Sequence, residues 1–310
     1  MLIAANNLLI IFIPIILGYF SRKYSKDHWK FEIDAILSNT CISLVFIMGV
    51  FLGLNIKSNG FRWEIFEYSI YYSILLILAN IITIMLFIEK RSPEKFNEDN
   101  LPSKHKKVNF FKKFTPIMVL IFGAIIGTYT DRHYYNLFSS LMFYILSFLL
   151  FLIGFDLKQK NIKVIDLFLN KNGILLSTVI LFSSAIVSIA LPNFIDIELK
   201  DSIAISSGFG WASFSGVFVT SNAGPVIGSI AFLVDLIRGW LVIALIPIFY
   251  NKSPMYLVGY GGGTSMDVSL PILRSAYGES IVPMAISSGF ILTISTPIIQ
   301  SLVYSLFLSK

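Results

Sequence analysis

The sequence predicts an all-α fold: a polytopic membrane helix bundle of about eight spans, with broken or re-entrant Gly-rich helices and inverted repeats. Three observations predict it. Charged residues make up 14% of the 310-residue chain and hydrophobic ones 55%, where soluble domains carry about 25% charge. Uncharged runs long enough to cross a bilayer recur along the chain. Glycine and serine then crowd into two otherwise apolar stretches, "SGFGWASFSG" at 207–216 and "GYGGGTSMD" at 259–267.

The uncharged runs place the first six spans at 5–21, 35–56, 68–88, 114–130, 134–155 and 173–193. Leu8–Phe20 reads as the core of a first span rather than a signal peptide. No basic segment precedes it and no small-residue cleavage site follows. Pro14 is tolerated inside a spanning helix. The loops at 22–34, 89–113 and 156–172 hold 16 Lys and Arg, against 4 in the loops at 57–67, 131–133 and 194–201. Basic residues mark cytoplasmic loops, so the N-terminus is expected outside a cell (inner or plasma) membrane. The same loops account for the net charge of +6 without a nucleic-acid partner.

The polar segment "EKRSPEKFNEDNLPSKHKKVNFFKK" at 89–113 divides the chain. The expected parts are a three-span N-terminal part at 1–89, a cytoplasmic linker at 90–113 and a C-terminal transport part at 114–310. The basic run at 104–113 sets topology or meets anionic membrane lipid. A short repeat crosses this division. "GLNIKSN" at 53–59 matches "GFDLKQK" at 154–160, and "ILGYF" at 16–20 matches "IIGTY" at 125–129. Three spans separate the copies, so the second is inverted in the membrane, a common transporter architecture.

Ser202 to Val234 is a run of 33 residues without a charge. Irregular backbone at membrane depth persists only where protein or a water-filled cavity covers it. The two Gly-rich stretches are therefore expected to be helix breaks whose bare N–H and C=O groups face a substrate. Close helix packing through small residues also uses Gly and Ser. The expected substrate-binding residues are Gly208, Phe209, Gly210, Trp211, Ser213, Ser215, Arg238, Gly262, Gly263, Thr264 and Ser265. The glycines Gly208, Gly210, Gly262 and Gly263 are expected to line a cavity.

Asp235 and Arg238 share one face of "FLVDLIRGW". A charge at membrane depth is expensive unless paired or hydrated. The two therefore form an ion pair that holds the bundle, or a site where Arg238 takes a carboxylate and Asp235 an ammonium or a proton. Both roles are compatible. Asp267 ends the second Gly-rich stretch and is expected to carry the coupling proton, with Asp235 as the alternative. Cys41, the only cysteine, excludes an intramolecular disulfide and reads as a packed thiol. His28, His105 and His133 fall in loops, and no spacing suggests a metal site or a bound cofactor. No nucleophile elbow, phosphate loop or dinucleotide fingerprint is present. Ser213, Ser215 or Asp267 could serve as a nucleophile, but no general base stands at motif spacing, so an enzyme is not expected.

"SGFGWASFSG", "GPVIGSIAFLVDLIRGWLVIALIP", "GYGGGTSMDVSLPIL" and "VPMAISSGFIL" together resemble the lysine exporter family. The resemblance is strongest over 207–292. It implies a secondary exporter of L-lysine and toxic lysine analogues in the inner membrane, and proton-coupled export (proton antiport) of a cationic amino acid is the leading expectation. The family pattern carries an acidic residue after the arginine of this stretch, where this chain has Gly239. It also often has an acidic residue before the Gly-Pro, where this chain has "SNAGP". Export of another amino acid or small zwitterion is the alternative within transport. An ion channel, with the Gly-rich loops as its filter, is the alternative from another class.

Overall fold

The computed structural model describes residues 13–21, 30–59, 62–89, 115–159, 170–249 and 252–307. Among these residues the fold is helical throughout, without strands. In chain order the helices are α1 (13–21), α2 (Lys30–Asn59), α3 (Glu64–Ile84), α4 (Thr115–Tyr129), α5 (Tyr135–Gln159), α6 (Lys171–Ala190), α7 (Leu199–Ser206), α8 (Ala212–Ala223), α9 (Pro225–Phe249), α10 (Met255–Gly261), α11 (Leu270–Tyr277) and α12 (Val282–Phe307). Helices α2, α3, α5, α6, α9 and α12 are long and apolar enough to cross a membrane. Helices α1 to α6 overlap the first six expected spans, of which residues 5–12 lie outside the described residues. The linker at 90–113 lies outside the described residues.

These helices turn apolar side chains outward as well as inward. Phe66, Ile70, Ile74, Leu78 and Ile82 form an exposed stripe at intervals of four along α3. The opposite face buries Tyr72, Leu76, Asn80 and Thr83. Water would not tolerate that outer stripe, but hydrocarbon does. The buried polar groups then face protein, as membrane helices require.

Glycines set the helix crossings. Gly49 and Gly53 of α2 lie against Gly123 and Gly127 of α4, so close that an added Cβ on any of the four would overlap backbone of the other helix. Both pairs step forward together, so α2 and α4 run parallel. Gly18 of α1 and Gly154 of α5 approach each other's helix backbone in the same manner. Small residues at four-residue spacing allow this contact in hydrocarbon, where packing rather than water exclusion joins helices. Gly123→Leu should lower the thermal midpoint of the solubilised protein, by overpacking worth about 1–3 kcal/mol. An unchanged midpoint would mean the crossing is loose.

These contacts follow the internal repeat. Gly18 and Gly53 belong to the first copy, Gly127 and Gly154 to the second. The first span of each copy packs on the second span of the other. Matching lysines do the same. Lys57 donates to the Thr130 carbonyl at 3.0 Å, just beyond α4, and Lys158 sits 4.9 Å over the Tyr19 ring of α1. The two copies are therefore interleaved across the 90–113 division.

The C-terminal half adds two interrupted helices. Helix α7 stops at Ser206, residues 207–211 form a turn, and α8 resumes at Ala212. Helix α10 ends at Gly261 and passes through a tight 3-10 turn (Gly262–Met266) before α11. Helix α9 packs along α8, and α12 along the Gly262–Met266 turn.

Candidate functional site

The two interruptions cross each other. The Phe209 carbonyl accepts the Gly263 N–H at 2.7 Å. A Cβ on Gly262 would run into that same carbonyl, and one on Gly210 would lie 2.7 Å from the Gly261 oxygen. Gly210 and Gly262 have φ of 89° and 57°, left-handed values that favour glycine. Phe209 also has positive φ, 47°, and no other non-glycine does among the described residues. Strain of this kind persists where surrounding structure holds it. Here the Phe209–Gly263 bond does so.

Helix α9 presents its two charges to this crossing. Asp235 Oδ1 accepts the Gly210 N–H at 2.8 Å, next to the N-terminus of α8. Arg238 Nη1 donates to the Tyr260 carbonyl at 3.0 Å, in the last turn of α10. Each charge thus meets the helix end whose dipole it complements. The pair stands 3.7 Å apart, Arg238 Nε to Asp235 Oδ1, and the Tyr260 ring lies 5.4 Å from the guanidinium carbon. Both side chains are wholly buried. Arg238 Nε and Nη2 and Asp235 Oδ2 make no hydrogen bond of good geometry. The site therefore keeps guanidinium N–H groups for a further partner, while the Ser215 hydroxyl neighbours the Asp235 carboxylate.

The structure brings most of the expected residues together here. Gly208 is pressed against Asp235 Oδ2, with Ser215 Oγ 2.7 Å from where its Cβ would stand. Thr296 of α12 donates to the Gly208 carbonyl at 3.1 Å. Gln300 donates to Ser215 Oγ and to the Ala204 carbonyl, both at 2.9 Å. Thr264 Oγ1 donates to the Gly261 carbonyl at 2.9 Å and Ser265 Oγ to the Val258 carbonyl at 2.8 Å, so these two hydroxyls staple the second break. Trp211 is half-buried and stacks on Phe214 at 4.8 Å, and Phe214 stacks on Phe218 at 5.4 Å. Ser213 points elsewhere, 3.9 Å from the Cys41 thiol of α2.

Two features depart from sequence reasoning. Asp267 is exposed, with a side-chain oxygen accepting the Val268 N–H, so Asp235 rather than Asp267 is the desolvated carboxylate. The glycines of the two breaks pack against Asp235, Thr293 and each other's backbone, so the crossing is closed in this state. Small-residue packing, the other use of Gly and Ser, holds at Gly228, which abuts Thr220, and at Gly216, which abuts Phe232 and Met48. Gly239 faces Thr264 with its nearest atom 3.4 Å from a would-be Cβ.

Sequence reasoning missed several residues. Asp201 sits in the first turn of α7 and is 7% exposed. The polar segment 194–201 ends on it, so the sequence pattern places it outside membrane depth. Asn80 is wholly buried in α3 and accepts from Ser183 of α6. Its one signal was an Asn inside an apolar run.

The sequence pattern of the family described as lysine exporter LysO matches residues 117–304. The lysine exporter LysO of Escherichia coli (strain K12) is 33% identical over 298 residues, covering 95% of this chain and 97% of that protein. A putative lysine exporter of Haemophilus influenzae (strain ATCC 51907 / DSM 11121 / KW20 / Rd) is 31% identical over 183 residues, covering 59% of this chain and 93% of its own length. No solved structure matches the chain. The helical membrane bundle, the crossed Gly-rich breaks and likeness to the E. coli exporter along nearly the whole chain agree: the chain belongs to the lysine exporter family and is a multi-pass membrane protein.

Proposed function

We propose that this protein exports L-lysine and lysine analogues from the cytoplasm across the inner membrane, as a secondary transporter driven by protons, with its N-terminus outside. The observation that carries the reading is the buried Asp235–Arg238 pair at the crossing of two broken helices. Arg238 offers Nε and Nη2, and Asp235 supplies the carboxylate beside them. A planar guanidinium suits a carboxylate, and a carboxylate suits an ammonium. Those are the two charges on the Cα of a free amino acid. The crossing backbone at Gly208, Phe209, Gly210, Gly262 and Gly263 holds the pair in place. Trp211 closes its rim, and Ser215, Thr264 and Ser265 border it, while Ser213 stands apart beside Cys41.

Asp267 is exposed while Asp235 is buried. In this reading the exposed carboxylate exchanges protons, and binding at the buried pair responds. Gly239, in place of an acidic residue, favours a second reading in which a small zwitterion other than lysine is exported, because Asp235 and Arg238 alone satisfy an amino-acid backbone.

Proteoliposomes loaded with labelled L-lysine test the reading. Efflux should saturate and should rise when an inward proton gradient is imposed. Asp267→Asn should lose the response to the gradient, yet keep lysine-for-lysine exchange. Gradient-driven efflux in Asp267→Asn with the wild-type pH dependence would move the coupling role to Asp235. Wild-type efflux of neutral amino acids with none of lysine would support the second reading.

A further inference from the structure

Asp201 is a buried acidic side chain that the reading above leaves without work. It lies in the first turn of α7, two turns before the break, and is 7% exposed. Its Oδ1 accepts the Tyr304 hydroxyl at 3.1 Å. The neighbouring Lys200 is bound to Glu198 at 2.7 Å. From α3, the Tyr72 phenol faces Asp201 and Ser202. That phenol is wholly buried, with the Ser202 hydroxyl as its hydrogen-bonding neighbour.

A polar track joins Asp201 to the charge pair. Thr296, Gln300 and Tyr304 stand one turn apart on one face of α12. They bond in order to the Gly208 carbonyl, the Ala204 carbonyl and Asp201. On this track Gln300 Oε1 is buried and makes no hydrogen bond of good geometry. An aromatic wall runs beside it. Phe214 and Phe218 of α8 stack on each other, and Phe218 lies 6.3 Å from the Tyr304 ring.

The dimensions suit one ligand class. From Asp201 to the end of α7 at Ser206 is five residues, about 7.5 Å at about 1.5 Å per residue, and Gly208, which touches Asp235, lies two residues further. An extended lysine separates its two ammonium groups by roughly 6 Å, and an N–H···O contact at each end adds about 2.9 Å. We propose that Asp201 reads the second ammonium of a dibasic amino acid whose first ammonium and carboxylate are held by Asp235 and Arg238. This rests on the export reading above and deepens it. The methylene chain lies along Phe214 and Phe218, and its entry displaces the Gln300 bridge between Ala204 and Ser215. The missing carboxylate at Gly239 is thereby supplied from another helix.

Binding to the purified protein of L-lysine, L-norleucine and L-ornithine tests this. Norleucine has a side chain like lysine's but no second ammonium, and ornithine is one methylene shorter. The wild type should prefer lysine over norleucine by at least about 10-fold. Asp201→Asn should lose that preference, with norleucine binding unchanged. Asp201→Glu reaches one methylene further and should move the preference from lysine toward ornithine. A merely structural Asp201 would not produce that exchange, and the Glu variant keeps the test open should the Asn variant not fold. A lysine preference that survives in Asp201→Asn, or a Glu variant with wild-type selectivity, overturns the proposal alone. A wild type that binds none of the three ligands instead overturns the export reading on which it rests.

Discussion

Arg238→Met should leave little folded protein in the membrane, and adding Asp235→Leu to it should bring most of it back. The single change removes the guanidinium and strands a carboxylate that is wholly buried. Removing one partner of a buried pair costs about 3–5 kcal/mol, a large share of a typical stability of about 5–15 kcal/mol. It also leaves the Tyr260 carbonyl, which accepts from Arg238 at 3.0 Å, without its donor. Replacing both charges with apolar groups removes the stranded charge, and such exchanges are often neutral. The double variant should therefore fold and bind no substrate. Fluorescence-detected size exclusion of solubilised membranes measures the first effect, and lysine binding the second. A single variant as abundant as wild type would show that the pair contributes nothing to folding. A double variant that binds lysine would remove both residues from the proposed site.

Gly262→Ala should abolish transport, whereas Gly224→Ala should spare it. Both glycines have positive φ, 57° and 86°, so both substitutions strain the backbone by about 1–3 kcal/mol. Their surroundings differ. A Cβ at 262 meets the Phe209 carbonyl, while one at 224 meets nothing within 4 Å. The alanine at 262 must push the two breaks apart, and the Phe209–Gly263 bond at 2.7 Å must lengthen with them. Gly210 N–H would then move relative to Asp235. Efflux from proteoliposomes, normalised to reconstituted protein, separates the two variants. Equal efflux from both would mean that the crossing carries no functional constraint.

How much of this was legible beforehand depends on what each residue signals locally. Apolar runs of bilayer length mark helices because no other structure hides its backbone in hydrocarbon, and α1 to α6 follow them. The breaks were legible because Gly210 and Gly262 are glycines at positions that need positive φ. Phe209 was not, since its strain comes from a bond to a residue 54 positions away. Asp235 and Arg238 announced a pair by their spacing and by the cost of isolated charge. The partners Gly210 and Tyr260 did not, because those contacts are to backbone on other elements. Asp201 was lost because one boundary of an apolar run was placed beside it. Its burial comes from Tyr304, and its setting from Tyr72, both remote in sequence.

The glycine crossings between α1 and α5 and between α2 and α4 bear on how the protein is made. Helices α1 to α3 leave the ribosome with Gly18 and Gly53 unpartnered, since both partners lie beyond residue 114. The early chain must wait in the bilayer as separately inserted helices, and its final packing is deferred until α5 has entered. Severing the chain between 90 and 113 should therefore be survivable, because both pieces would meet as they do during synthesis. Neither piece alone should escape membrane quality control, because each exposes a glycine groove cut to fit the other.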